Sequence, residues 1–222
     1  MATATNSASN GSAPGPRRTG LQQARSRQTR QKLVRAALQL WTDRGFDTGV
    51  DSTTVEEIVQ AAGVTKGTFY FHFAHKEDIL LEIGWGTSEA MIREANAALA
   101  RDLPVETVLD DLFASLARRV SSTPRVAVAR TLLEFHRSRD LVAPMAEEHG
   151  GYRAAYELVF TVARDRGVVP DDVDVVDLAE MLQSLTMDAI HRWIHDDIDI
   201  AAALSYRARV LLAGVREVPA RR

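Results

Sequence analysis

The residues of this chain best suited to chemistry cluster just before its middle. Lys66, Thr68, Tyr70 and His72 lie on one short segment, with Thr65 and Gly67 among them and Lys76 just beyond. These are cations and hydrogen-bond donors, the groups that bind phosphate oxygens and the edges of base pairs. Elsewhere the sequence shows no nucleophile–base–acid arrangement, no phosphate-cradling glycine loop and no metal box. His191 and His195 stand four apart, a spacing that can hold a metal. They lack a third ligand and read as surface or interface histidines. No catalytic residue, cofactor or metal is expected, and the chain does not read as an enzyme.

Two short helices must position that segment. Thr53 can cap the first, with Glu56 three residues on in capping-box spacing. Val55, Ile58, Val59 and Ala62 repeat at helical spacing and form one apolar face. Gly63 follows, where the chain leaves the helix with positive φ. Thr65 can cap the second helix, which starts near Lys66. Phe69 and Phe73 would anchor it inward, leaving Gly67 and Phe71 on the outer side. A glycine on an exposed helix costs about 1 kcal/mol relative to alanine. Close approach of the backbone to a DNA strand would explain it. Helix, glycine turn, helix at this spacing is the helix-turn-helix pattern, whose second helix enters a major groove.

The stretch TTVEEIVQAAGVTKGTFYFHFAHKEDIL resembles the DNA-binding signature of the TetR family of bacterial transcriptional regulators. The capped helix, the Ala-Gly turn, Lys66-Gly67-Thr68, Tyr70, His72-Phe73 and Lys76 occur in order without gaps, and the resemblance is strong over about residues 27 to 85. It implies an all-α fold: an N-terminal three-helix DNA-binding domain with the helix-turn-helix, then a C-terminal helical domain for effector binding and dimerisation. The expected divisions are a disordered tail at 1–22, the DNA-binding domain at 23–82 with its motif at 53–73, the body at 83–216 and a short tail at 217–222. Lys66, Lys76 and Tyr70 then resemble phosphate ligands, and His72 a position near phosphate. Thr65, Gly67 and Thr68 resemble positions that meet base edges or backbone. Thr53 or Thr54 would contact phosphate from the N-terminus of the first helix, where free N–H groups favour anions. The cap itself stays open among Ser52, Thr53 and Thr54. The preceding link is longer than the family usually shows and is expected to bulge as a loop. Phe71 stands where a tyrosine is common, so one hydroxyl contact is lost.

The charge distribution agrees with a DNA-facing front. The 222 residues carry a net charge of −3, yet residues 1–81 hold ten basic and seven acidic side chains, and the remainder seventeen and twenty-three. Arg17, Arg18, Arg25, Arg27, Arg30, Lys32 and Arg35 form a basic run with no acid before Asp43. It reads either as a solvated helix face or as a phosphate-contacting arm. Residues 1 to about 20 are small, polar and rich in Pro and Gly, too poor in apolar side chains to offset ordering entropy. From about Arg27 a helix is marked by Leu33, Ala36, Ala37, Leu40 and Trp41, ending at Gly45, with Trp41 in its core. There are no cysteines, and no apolar run reaches membrane-spanning length; the expected location is the cytoplasm.

The rest reads as helices. A long connecting helix starts near His75, with Gly84 and Gly86 weakening it around Trp85. Further helices are expected at about 104–121, 125–138, 143–166, 172–195 and 199–215, set off by Pro and Gly breaks. Leu178, Leu182, Leu185, Ala189 and Trp193, with Leu204, Ala208, Leu211 and Leu212, make two apolar stripes. Paired across a two-fold axis they would form a four-helix dimer interface; alternatively they close the monomer core. A ligand pocket would draw on Trp85, Met91, Phe113, Phe135, Met145, Tyr152 and Tyr156, oriented by Glu134 and His136. The expected function is a homodimeric regulator binding a pseudo-palindromic double-stranded operator, a repressor released by a small-molecule effector. The alternatives are an effector-free autoregulator or, less favoured, an all-helical small-molecule binding protein or enzyme.

Overall fold

The computed structural model describes residues 16–138 and 151–217. Residues 1–15 of the tail expected at 1–22, 218–222 of that expected at 217–222, and the segment 143–150 with Met145 lie outside the described residues. Among the described residues the fold is all-α, ordered along the chain as α1 (Pro16–Arg44), α2 (Phe46–Ser52), α3 (Val55–Ala62), α4 (Lys66–His72), a 3₁₀ turn (Lys76–Asp78), α5 (Ile79–Leu99), α6 (Val105–Ser121), α7 (Arg125–Arg137), α8 (Gly151–Asp165), α9 (Val175–His195) and α10 (Ile200–Glu217).

The helices gather around two cores. In the N-terminal unit Leu33, Ala37 and Trp41 of α1 meet Phe46 and Val50 of α2, Ile58 and Val59 of α3, and Phe69 of α4. Trp41, Phe69 and Ile58 are fully buried, each contributing about 1.5–3 kcal/mol from apolar burial. The second core is larger. It runs from Met91 of α5 through Leu112 and Phe113 of α6 and Tyr156 and Phe160 of α8 to Leu182 of α9 and Leu204 of α10. Ile79 and Leu80 of α5, and Ala127 of α7, belong to the first core. The distal part of α5, and Val128 of α7, belong to the second. These two helices join the units.

Four expectations change. The first helix begins at Pro16, inside the segment read as a tail. Proline suits a first helical position, where its missing N–H is not needed. The long link is not a bulging loop but α2, and the N-terminal unit therefore has four helices rather than three. Phe46, Gly49 and Val50 at i, i+3 and i+4 are buried. A Cβ on Gly49 would lie 2.7 Å from the Trp41 carbonyl oxygen, so only glycine lets α2 seat on α1. The connecting helix starts at Ile79 rather than His75, because the Asp78 carboxylate accepts the His75 N–H at 2.8 Å and holds a 3₁₀ turn first.

The fourth change concerns the dimer stripe. Leu178, Leu182, Ala189 and Trp193 of α9 and Leu204, Ala208 and Leu212 of α10 are all buried within the single chain. They close the monomer core, the alternative left open by the sequence, because α9 packs on α8 and α10 on α6 with the strongest apolar faces inward. Leu185 and Leu211 are half-buried. The apolar side chains left outside are Met181, Tyr206 and Val210, at 54, 65 and 54% exposure.

Candidate nucleic-acid interface and effector cavity

The helix-turn-helix is held by local caps. Thr54, not Thr53, caps α3: its backbone N–H donates to Glu57 Oε2 at 2.8 Å and its hydroxyl accepts the Glu57 N–H at 3.2 Å. Gly63 takes the left-handed conformation at φ 65°, and the Val64 N–H returns to the Val59 carbonyl at 3.0 Å. The Thr65 hydroxyl accepts the Thr68 N–H at 3.2 Å and sits 2.9 Å from the Thr68 hydroxyl. Phe69 and Phe73 turn inward, 5.8 Å apart between ring centroids. Lys66, Gly67, Tyr70 and Phe71 face solvent, and Phe71 is 78% exposed. A Cβ on Gly67 would meet nothing closer than 3.9 Å, so no protein neighbour accounts for the glycine.

Two expected phosphate ligands are occupied inside the protein. Thr53 is 1% exposed, and its hydroxyl donates to the Gly49 carbonyl at 2.6 Å. The Lys76 ammonium donates to the carbonyls of Asp51 at 3.0 Å and Thr53 at 2.7 Å. It clamps the α2–α3 junction rather than facing outward, because α2 ends with carbonyls that need donors. Lys66 remains exposed beside Glu56, its ion-pair partner on α3. His72 is half-buried. Burial, then the nearby Arg30 charge, holds its pKa below the usual histidine value. Arg30 itself serves the fold: it donates to the His72 carbonyl at 2.9 Å, pairs with Glu82 and stacks over the Phe73 ring at 4.3 Å. Arg25, Arg27, Lys32 and Arg35 of the basic run are exposed.

In the body, a cavity of about 970 Å³ opens between α5, α6, α7, α8 and α9. Of the expected pocket residues, Trp85, Phe135, His136 and Tyr152 line it. Trp85 and Phe135 meet edge to face at 5.3 Å, and burial raises the Tyr152 phenol well above its ordinary pKa, keeping it a neutral donor. Met91, Phe113 and Tyr156 do not line it. They are core residues, and the Tyr156 hydroxyl is satisfied by Thr186 at 2.8 Å. Glu134 faces a separate polar cleft and accepts from the Ser138 hydroxyl. His191 and His195, with ring centroids 4.9 Å apart, are exposed, as expected of surface histidines, and stand at the cavity's edge. Arg119, Gln183 and Met187 were missed. The one available signal was their place on the same helical faces as the apolar wall residues, which is visible only once α6 and α9 are known to wall the same cavity. Among the described residues no three His, Cys, Asp or Glu side chains are grouped to hold a metal, and no helix is long and apolar enough to cross a membrane.

This geometry agrees with what the chain is similar to. The sequence pattern of bacterial regulatory proteins, tetR family, matches residues 33–83. Over 123 residues the chain is 36% identical to the HTH-type transcriptional regulator AcrR of Shigella flexneri, covering 54% of each protein. Over 103 residues it is 35% identical to the HTH-type transcriptional regulator TcmR of Streptomyces glaucescens, covering 46% of this chain and 44% of that one. The chain thus spans about half the length of these curated relatives. Among solved structures, Thermus thermophilus FadR, a TetR-family transcriptional repressor in complex with lauroyl-CoA, superposes with a TM-score of 0.72 at 28% identity, covering 87% of this chain and 99% of that one. Residues 33–83 thus carry the sequence pattern of the TetR family of bacterial regulatory proteins, and most of the chain is similar to a solved member of that family.

Proposed function

We propose that this chain is a homodimeric, sequence-specific DNA-binding transcriptional regulator, a repressor released from a pseudo-palindromic operator by a small-molecule effector in the bacterial cytoplasm. The observation that carries this reading is the outer face of α4. Lys66, Gly67, Thr68, Tyr70 and Phe71 are presented on a short helix whose own polar ends are already capped, with a glycine that no protein contact explains. The chain divides, in this reading, into a DNA-binding unit up to about residue 82 and an effector-binding and dimerising body at 83–216. Lys66, Tyr70 and His72 approach phosphates, Thr65, Gly67 and Thr68 the groove, and Thr54 the backbone beside α3.

One recognition helix reads too few base pairs for useful specificity, which favours a symmetric pair. Met181, Tyr206 and Val210, with half-buried Leu185 and Leu211, supply the apolar surface that a second copy would cover. The cavity wall suits an effector with a long apolar part, and the lauroyl-CoA complex of the Thermus thermophilus protein makes an acyl thioester the first probe to test.

The deciding experiment is selection of bound sites from random duplexes, followed by affinity measurement across a salt series. A selected palindrome, bound with a steep salt slope and lost on Tyr70→Ala, is the expected result. A protein that retains no duplex at low ionic strength would overturn the reading.

A further inference from the structure

The connecting helix α5 is one link between the cavity and the DNA-binding unit, and α7 forms a second. The face of α7 carrying Leu132, Phe135 and His136 lines the cavity. Another face of the same helix grips α2. Arg130 donates from one guanidinium nitrogen to Asp51 Oδ1 at 3.1 Å, and from the other to Asp51 Oδ2 at 2.7 Å and to the Asp47 carbonyl. The fork-to-carboxylate geometry fixes direction as well as distance. Beneath it, Ala127 plugs into the core of the N-terminal unit, fully buried.

The grip continues toward the reading helix without a gap. The Asp51 carbonyl receives the Lys76 ammonium, which also holds the Thr53 carbonyl. The Thr53 hydroxyl is met by Arg44 at 3.1 Å, and Arg44 pairs with Glu57, the residue that closes the α3 cap. From α7 to the first turn of the helix-turn-helix, each step is a direct hydrogen bond.

We propose that Arg130 is a positioning residue that couples the cavity wall to the helix-turn-helix through Asp51, so that a molecule displacing Leu132 or Phe135 loosens α2 and the α3 cap. This rests on the regulator reading only for its consequence at DNA; the coupling itself is a property of the free protein. It differs from a lever action of α5 because it runs through one severable ion pair.

Hydrogen exchange on the full chain tests it. Arg130→Gln should lower protection of the amides of residues 46–57 by about tenfold, the scale of one charge-assisted contact in a local opening. The charge swap Asp51→Arg with Arg130→Asp should restore most of it. Phe135→Trp, a perturbation on the cavity side, should lower the same protection in the wild-type background and leave it unchanged in Arg130→Gln. An equal effect of Phe135→Trp in both backgrounds would assign the coupling to α5, and no effect in either would remove it from α7; each overturns the proposal. Affinity for the selected operator, measured on the same variants, separates this from the regulator reading. A protein that shows the exchange coupling but binds no duplex keeps the clasp and loses the function.

Discussion

In the N-terminal unit Trp41, Phe46 and Val50 close against α3 and α4 so tightly that Gly49 rests on the Trp41 carbonyl, whereas in the body residues of α5 to α9 line a cavity of about 970 Å³. The first region closes its helix ends locally, with Thr54, Gly63 and Thr65 supplying the caps. The second leaves Trp85, Tyr152, Gln183 and two histidines facing open space. A well-packed core holds one arrangement, since its contacts are lost as soon as neighbours separate. A core built around a cavity can take up a guest and repack. In the proposed function the tightly packed part reads DNA and the hollow one takes up the effector, with α5 and α7 shared between them.

That contrast can be broken most forcefully at Trp41. Trp41→Ala should cost about 3–5 kcal/mol, read from the denaturant midpoint, and should abolish duplex binding. A loss below 1 kcal/mol would mean that the first core is not tightly packed. Next comes Lys76→Ala, which removes a half-buried charged donor from two carbonyls and should cost about 1.5 kcal/mol. The salt slope of DNA binding should not change, while Lys66→Ala should reduce that slope by about one and leave stability intact. The reverse result would restore Lys76 as a phosphate ligand.

Enlarging one alanine in each region sharpens the comparison. Ala37→Leu overpacks the first core and should destabilise by about 1–3 kcal/mol. Ala129→Leu points into the cavity and should stay within about 0.5 kcal/mol, as followed by thermal melting. Equal costs would mean that the cavity is not available space. The smallest expected effect is on pH. The Arg44 side chain, then the Thr54 N–H, hold the Glu57 carboxyl at about 2, below its ordinary 4.5. A carboxyl that is the stronger acid when folded stabilises the fold fully above its unfolded pKa, and that contribution is lost as pH falls through about 2. Glu57→Gln should therefore flatten the melting temperature profile below about pH 4.5 without changing it at neutral pH relative to its own plateau.

The helix-turn-helix was readable because its signals act over three or four residues: Thr65 caps Thr68, Gly63 ends α3, and Phe69 and Phe73 share a face. The cap at Thr54 differs by one position from Thr53 because two adjacent threonines present the same signal, and burial of Thr53 under α2 breaks the tie. Helix α2 was hidden by its glycine, which looks like a loop residue until Trp41 is seen against it. The cavity was half visible: aromatic residues announced it, but Met91, Phe113 and Tyr156 carry the same signal and are packed.

Periodicity, caps and Pro and Gly breaks along the chain determined the places of nearly every described helix and the outward face of α4, since each depends on neighbours in sequence. Tertiary structure decided the rest. Lys76 is spent on carbonyls 25 and 23 residues away, Arg130 on a carboxylate 79 residues away, and the best apolar faces of α9 and α10 on their own chain. Whether a charged or apolar side chain remains free depends on which partner the fold brings to it, and local sequence carries no record of that.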